Sequence, residues 1–112
     1  MSNLHEISAS DALAGVQAGR IQLLDVRNPA EIEANGTAVG ALCIPLSALR
    51  IKGDPNSPEF DPALTARPTL AVFCAVGARS AAATELLSGY GHDVRDLGTL
   101  RSWRDAGGAT TQ

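Results

Sequence analysis

The sequence has little cysteine, no apolar run long enough to cross a bilayer and no surplus of positive charge, and each absence excludes something. Two cysteines in 112 residues do not make the disulfide framework of a small secreted domain, so a reducing, cytoplasmic setting is expected. No Cys/His cluster has the spacing of a zinc site, and no metal is expected. Nine Lys and Arg against twelve Asp and Glu give a formal net charge of −3. That leaves no basic field for nucleic acid and no cationic helix for a membrane surface. The opening Met1-Ser2-Asn3-Leu4-His5-Glu6 has neither a charged nor an apolar signal region, so no secretory signal is expected.

What is present is an ordinary globular composition, 45% apolar and 19% charged, on a length that suits one domain. We read residues 1–112 as that domain, with a core from about 4 to 106 and a frayed tail from Gly107-Gly108. The chain is organised around Phe73-Cys74-Ala75-Val76-Gly77-Ala78-Arg79-Ser80. An apolar, β-favouring run, Thr69 to Phe73, delivers Cys74. A short loop with one glycine follows, and Ala81 to Leu87 has the composition of a helix. The first N–H groups of a helix lack intrahelical partners and carry partial positive charge. A loop over that end can aim several N–H groups at one anion, and a thiolate placed there is stabilised. Arg79 opposes the helix dipole, which suits an anion partner: the sulfur, a substrate or an internal carboxylate.

Other segments build the frame. Leu4 to Ile7 is a short strand candidate. Ser8 and Asp11 resemble an N-cap and first turn for a helix over 9–18, with Gly19 as its stop. Ile21 to Val26 is a buried strand, and Pro29 opens a short helix over 30–34. Ala41 to Ile44 is a further strand, 46–50 a helical turn and 52–62 an exposed, proline-rich loop. Asp93 to Leu97 is the last strand and 99–106 the last helix. Strands alternating with short helices indicate an α/β fold, a mainly parallel sheet with helices on both faces. Ligands of such folds sit at the carboxyl ends of strands, where Cys74 and Asp25 both fall.

Four segments, Leu24-Asp25-Val26-Arg27-Asn28-Pro29-Ala30-Glu31, Gly40 to Pro45, Cys74 to Ser80 and Gly91 to Trp103, resemble the single-domain rhodaneses, or thiosulfate sulfurtransferases. The resemblance covers nearly the whole chain. It implies a central five-stranded sheet, Cys74 as the sulfur-accepting cysteine, and a substrate cradle of backbone amides from Ala75, Val76, Gly77, Ala78 and Arg79. It implies no cofactor. The partners it implies are a small sulfur donor, thiosulfate or a persulfide, and a thiol acceptor that a protein could supply. The loop from Cys74 through Arg79 has six residues, similar to the sulfurtransferases. Related phosphatases and arsenate reductases carry one residue more. Ala75, Val76 and Ala78 are uncharged where some thiosulfate-using relatives are basic, so Arg79 alone is left to meet a dianion.

Around this centre, Asp25 is expected to support the loop by accepting hydrogen bonds near Arg79 or from backbone amides. Arg27 and Glu31, four apart, are expected to pair with each other. Cys43 is read as core, the alternative being a resolving thiol for Cys74. Trp103 and Tyr90 are read as core or cleft wall, and His5 and His92 as solvated. Two other functions stay open: a sulfur-relay module serving a partner protein, and a phosphatase or arsenate reductase on the same scaffold.

Overall fold

The computed structural model describes residues 5–111. The apolar run becomes strand β3 (Thr69–Cys74), buried at every residue from Leu70 onward, as befits a strand covered on both faces. Its neighbours are β1 (Ile21–Asp25) and β4 (Val94–Thr99), with β2 (Leu42–Cys43) outside β1. The order is β2-β1-β3-β4 and all pairings are parallel. Parallel neighbours need crossover connections. These carry α2 (Pro29–Asn35), α3 (Leu49–Lys52) and α4 (Ala78–Gly89), while α1 (Ala9–Gln17) and α5 (Leu100–Asp105) begin and end the series.

The period of two along the strands splits the core. Leu24, Val26, Leu70, Val72 and Cys74 face Leu49, Ala83 and Leu87 of α3 and α4. Ile21, Leu23, Ala71 and Phe73 face Ala12, Leu100 and Trp103 of α1 and α5. Helix α4 buries Ser80, Ala83, Thr84 and Leu87, the i, i+3, i+4, i+7 stripe of a helix with one inward face.

The expected helices on both faces are present, but the sheet has four strands among the described residues, not five. Leu4 lies outside the described residues, and the segment after it contributes only a parallel bridge from Glu6 to Asp96. The polar sequence His5-Glu6 offers no apolar alternation to extend the pairing. His92 is not simply solvated: it stacks on Phe60, with ring centroids 6.0 Å apart, and its Nε2 lies 2.7 Å from the Gly53 carbonyl oxygen.

The segment after α5 is held instead of frayed. Val39 N–H donates to Ala109 O, and Thr111 N–H donates to Thr37 O. Trp103 is buried, and its indole N–H donates to Ala109 O at 2.9 Å. Gly108 has no side chain because the Trp103 ring occupies that space: an added Cβ would lie 2.1 Å from Cε2.

At the carboxyl end of β1, Asp25 is wholly buried, and Arg27 is 3% exposed. A carboxylate without solvent must be met by donors. Arg27 supplies its backbone N–H at 2.9 Å and a forked guanidinium, Nη2 to Oδ2 at 2.8 Å. Thr37 Oγ1 donates to Oδ2 at 2.7 Å. The same guanidinium donates to Gly36 O at 2.6 Å. This pairing corrects one expectation, since Arg27 belongs to Asp25 and not to Glu31, and decides another: of the two sources of donors expected for Asp25, it takes a backbone amide, that of Arg27, and no bond to Arg79, with the Arg27 guanidinium and the Thr37 hydroxyl added.

Asp25→Asn is expected to lower stability by about 3–5 kcal/mol, since it strands a buried guanidinium; an unchanged urea midpoint would contradict this. Gly108→Ala is expected to cost about 1–3 kcal/mol through overpacking against Trp103. The check is a fall in Tm with an altered near-ultraviolet tryptophan signal.

Candidate active site

Strand β3 ends on Cys74, which has no solvent exposure. The chain then turns through 75–77 and enters α4. Gly77 makes that turn with φ +100°, a left-handed conformation that side chains resist. The turn brings its N–H back to Cys74 Sγ at 3.1 Å. Ser80 N–H reaches the same sulfur at 3.3 Å. Sγ therefore sits at the N-terminus of a twelve-residue helix, inside a partial ring of amide donors.

Of the amides expected from Ala75 to Arg79, Gly77 supplies one direct bond and Ser80, just beyond that range, supplies the other. Ala75, Val76 and Ala78 are exposed, and Val76 at the tip is 82% exposed. The side chain of Ser80 also fastens the loop. Its Oγ donates to Gly77 O at 3.0 Å and lies 3.2 Å from Gly98 O. Gly98 is placed for this by an irregularity in β4: the register shifts between Val72 and Phe73, so that Phe73 pairs with Gly98. A bulge beside a site re-aims the backbone in this way.

Arg79 finds its anion in the protein itself. Its guanidinium holds Glu31 through two bonds, Nη1 to Oε1 at 2.6 Å and Nη2 to Oε2 at 2.8 Å. The two side chains are 30% and 32% exposed. Glu31 Oε1 also accepts the Asn28 N–H at 3.1 Å, completing the capping box of α2. Arg79 thus ties the helix that carries the loop to the helix that follows β1.

Cys43 is exposed, contrary to the core expectation, because β2 is an edge strand and its residues alternate between faces. It lines a mostly apolar groove of about 320 Å³ with Arg27, Pro29, Ile32, Glu33 and Pro45. Partial burial, and then the charge of Asp25, push its thiol up. Cys43 is level with Asp25, and Asp25 with Phe73. Two strand spacings of about 4.8 Å therefore separate its strand from that of Cys74. This exceeds the Cα separation of about 7 Å that a disulfide spans, so Cys43 is not an intramolecular resolving thiol in this conformation. Among the described residues no group of three His, Cys, Asp or Glu could hold a metal ion.

Glu31 is held down to about 2 from its ordinary 4.5, first by the Arg79 hydrogen bond and then by the Asn28 amide. A lowered folded value means that its stabilisation is present above about pH 4.5 and is lost as pH falls toward 2. Wild type is expected to lose stability more steeply than Glu31→Gln across that window; superimposable plots of urea midpoint against pH would contradict this.

Known proteins share this architecture. The chain is similar to a Rhodopseudomonas palustris protein of unknown function described as a possible tyrosine phosphatase, at 30% identity and a TM-score of 0.82 over 95% of this chain and 83% of that one. It is similar to a rhodanese-related protein from Thermoplasma volcanium, at 30% identity and 0.72, over 96% and 97%. It is also similar to the human single-domain sulfurtransferase TSTD1, at 30% identity and 0.74, over 92% and 97%. A search of the curated proteins found no match. The rhodanese-like domain model matches residues 8–106, from the N-cap of α1 to the C-cap of α5, and the chain belongs to that family.

Proposed function

We propose that the protein is a sulfurtransferase that works through a persulfide on Cys74. The Cys74 thiolate attacks the outer sulfur of thiosulfate or of a persulfide. The bond from that sulfur to the donor breaks, and sulfite or a thiolate leaves with the bonding electron pair. An acceptor, a thiolate or cyanide, then attacks the outer sulfur and Cys74 leaves as thiolate. Two half-reactions on one covalent intermediate give ping-pong kinetics. The chemistry as written involves Cys74, donor and acceptor alone, and suits a reducing cytoplasm.

The observation that carries this reading is the pair of amides, Gly77 and Ser80, aimed at Sγ from a helix N-terminus. Fixed N–H dipoles stabilise the anionic sulfur before attack and the departing thiolate after transfer. Gly77, Ala78 and Arg79 shape the cradle, Ala75 and Val76 form its rim, and Asp25 supports it from β1. Full enclosure of Cys74 favours donors that present a slender terminal sulfur. A relay module on the same site would load Cys74 and pass the sulfur to a partner protein, with little turnover on small acceptors. The likeness to a possible tyrosine phosphatase keeps phosphate esters worth assaying.

Steady-state thiocyanate formation from thiosulfate and cyanide is expected to give parallel double-reciprocal lines. Cys74→Ser is expected to lose turnover by at least about a thousandfold, as for loss of a covalent nucleophile, with its urea midpoint within about 1 kcal/mol of wild type. Retained activity in the variant, or hydrolysis of an aryl phosphate without sulfur transfer, would overturn the reading.

A further inference from the structure

The two arginines of the segments that build the site are both matched. Arg27 is committed to Asp25 in the interior, and Arg79 is clamped by Glu31 through two short bonds. The remaining loop side chains, those of Ala75, Val76 and Ala78, carry no charge. Arg79 is nevertheless the second residue of α4, and the next residue, Ser80, puts its N–H on Cys74 Sγ, so the guanidinium springs from the turn that holds the sulfur. The site therefore contains a guanidinium in position to attract an anionic donor, with a carboxylate that neutralises it.

Resting on the sulfurtransferase reading, we propose that Glu31 is a specificity-determining, positioning residue that keeps Arg79 from the donor and so favours donors of low charge over dianionic thiosulfate. Thiosulfate carries two negative charges toward the cradle and releases sulfite, also a dianion. Both are held better where an unmatched cation stands at the rim. A monoanionic donor, such as a thiosulfonate or an alkyl persulfide, leaves as a singly charged sulfinate or thiolate and needs the amides alone. Glu31 acts only through Arg79, since its oxygens are occupied by the guanidinium and the Asn28 N–H.

The test compares kcat/KM for thiosulfate and for methanethiosulfonate, with cyanide as common acceptor, in four proteins: wild type, Glu31→Gln, Arg79→Gln and the double variant. Glutamine keeps an oxygen for the Asn28 N–H and so preserves the cap of α2. Glu31→Gln is expected to raise the ratio of thiosulfate to thiosulfonate on the order of tenfold, chiefly through KM for thiosulfate. Arg79→Gln is expected to leave the ratio near that of wild type, and the double variant to cancel the gain. A structural role for the pair would slow both donors equally and leave the ratio fixed, which would overturn the proposal. A gain that survives in the double variant would also overturn it, because it would not come from Arg79. Thiocyanate from neither donor in wild type would overturn the sulfurtransferase reading itself, and this inference with it.

Discussion

A carboxylate with no access to water has to be surrounded by donors, and in this protein Asp25 takes them from two residues, Arg27 and Thr37, and through them ties together three parts of the chain. Arg27 turns back on it just beyond β1. Gly36, at the end of α2, receives the spare guanidinium N–H. Thr37 donates its hydroxyl, and is itself gripped by Thr111 through the backbone and the side chain. One buried charge thus fixes the end of the second strand in sheet order, the helix that follows it and the C-terminal segment. Losing any one donor leaves the others holding an under-satisfied anion, so the corner is cooperative.

The Cys74 loop is built next to that corner by a different device. Strand β3 is buried on both sides, so its end point cannot drift. Gly77 allows the chain to fold over Cys74, and Ser80 locks the resulting loop to itself and to the irregularity in β4. Arg79 then joins α4 to α2 through Glu31, which links the loop to the Asp25 corner by way of one short helix. The cradle is thus braced from β4 on one side and from α2 on the other. Such support holds the amide dipoles in place around Sγ.

The parts of this arrangement visible in the sequence are those set by local pattern. The unbroken apolar run into Cys74, the glycine three residues later and the alternation of strands with helices suffice to place the cysteine at a strand end over a helix start. Spacing alone misassigns Glu31. Four residues from Arg27 on a short helix, it looks like a local partner, yet the demand of the buried Asp25 takes Arg27 away, and Glu31 meets an arginine 48 positions distant. Ser80 is missed because α4 begins at Ala78, three residues before the alanine run suggests. Its N–H is therefore still among the unpaired amides of the first turn. Gly107-Gly108 carries the composition of a loose end, and only the Trp103 ring lying over it shows why a side chain is absent there. Cys43 sits in an apolar tripeptide, but an edge strand of two residues exposes whatever points outward.

The central claim is that Cys74 bears the transferred sulfur. It is tested most directly by intact-mass spectrometry of the reduced protein after exposure to a sulfane donor without acceptor, followed by peptide mapping. The account predicts a gain of one sulfur atom, located on the peptide containing Cys74 and removed by cyanide. An unchanged mass with thiosulfate and with a persulfide donor, or a sulfur that maps to Cys43, would contradict it.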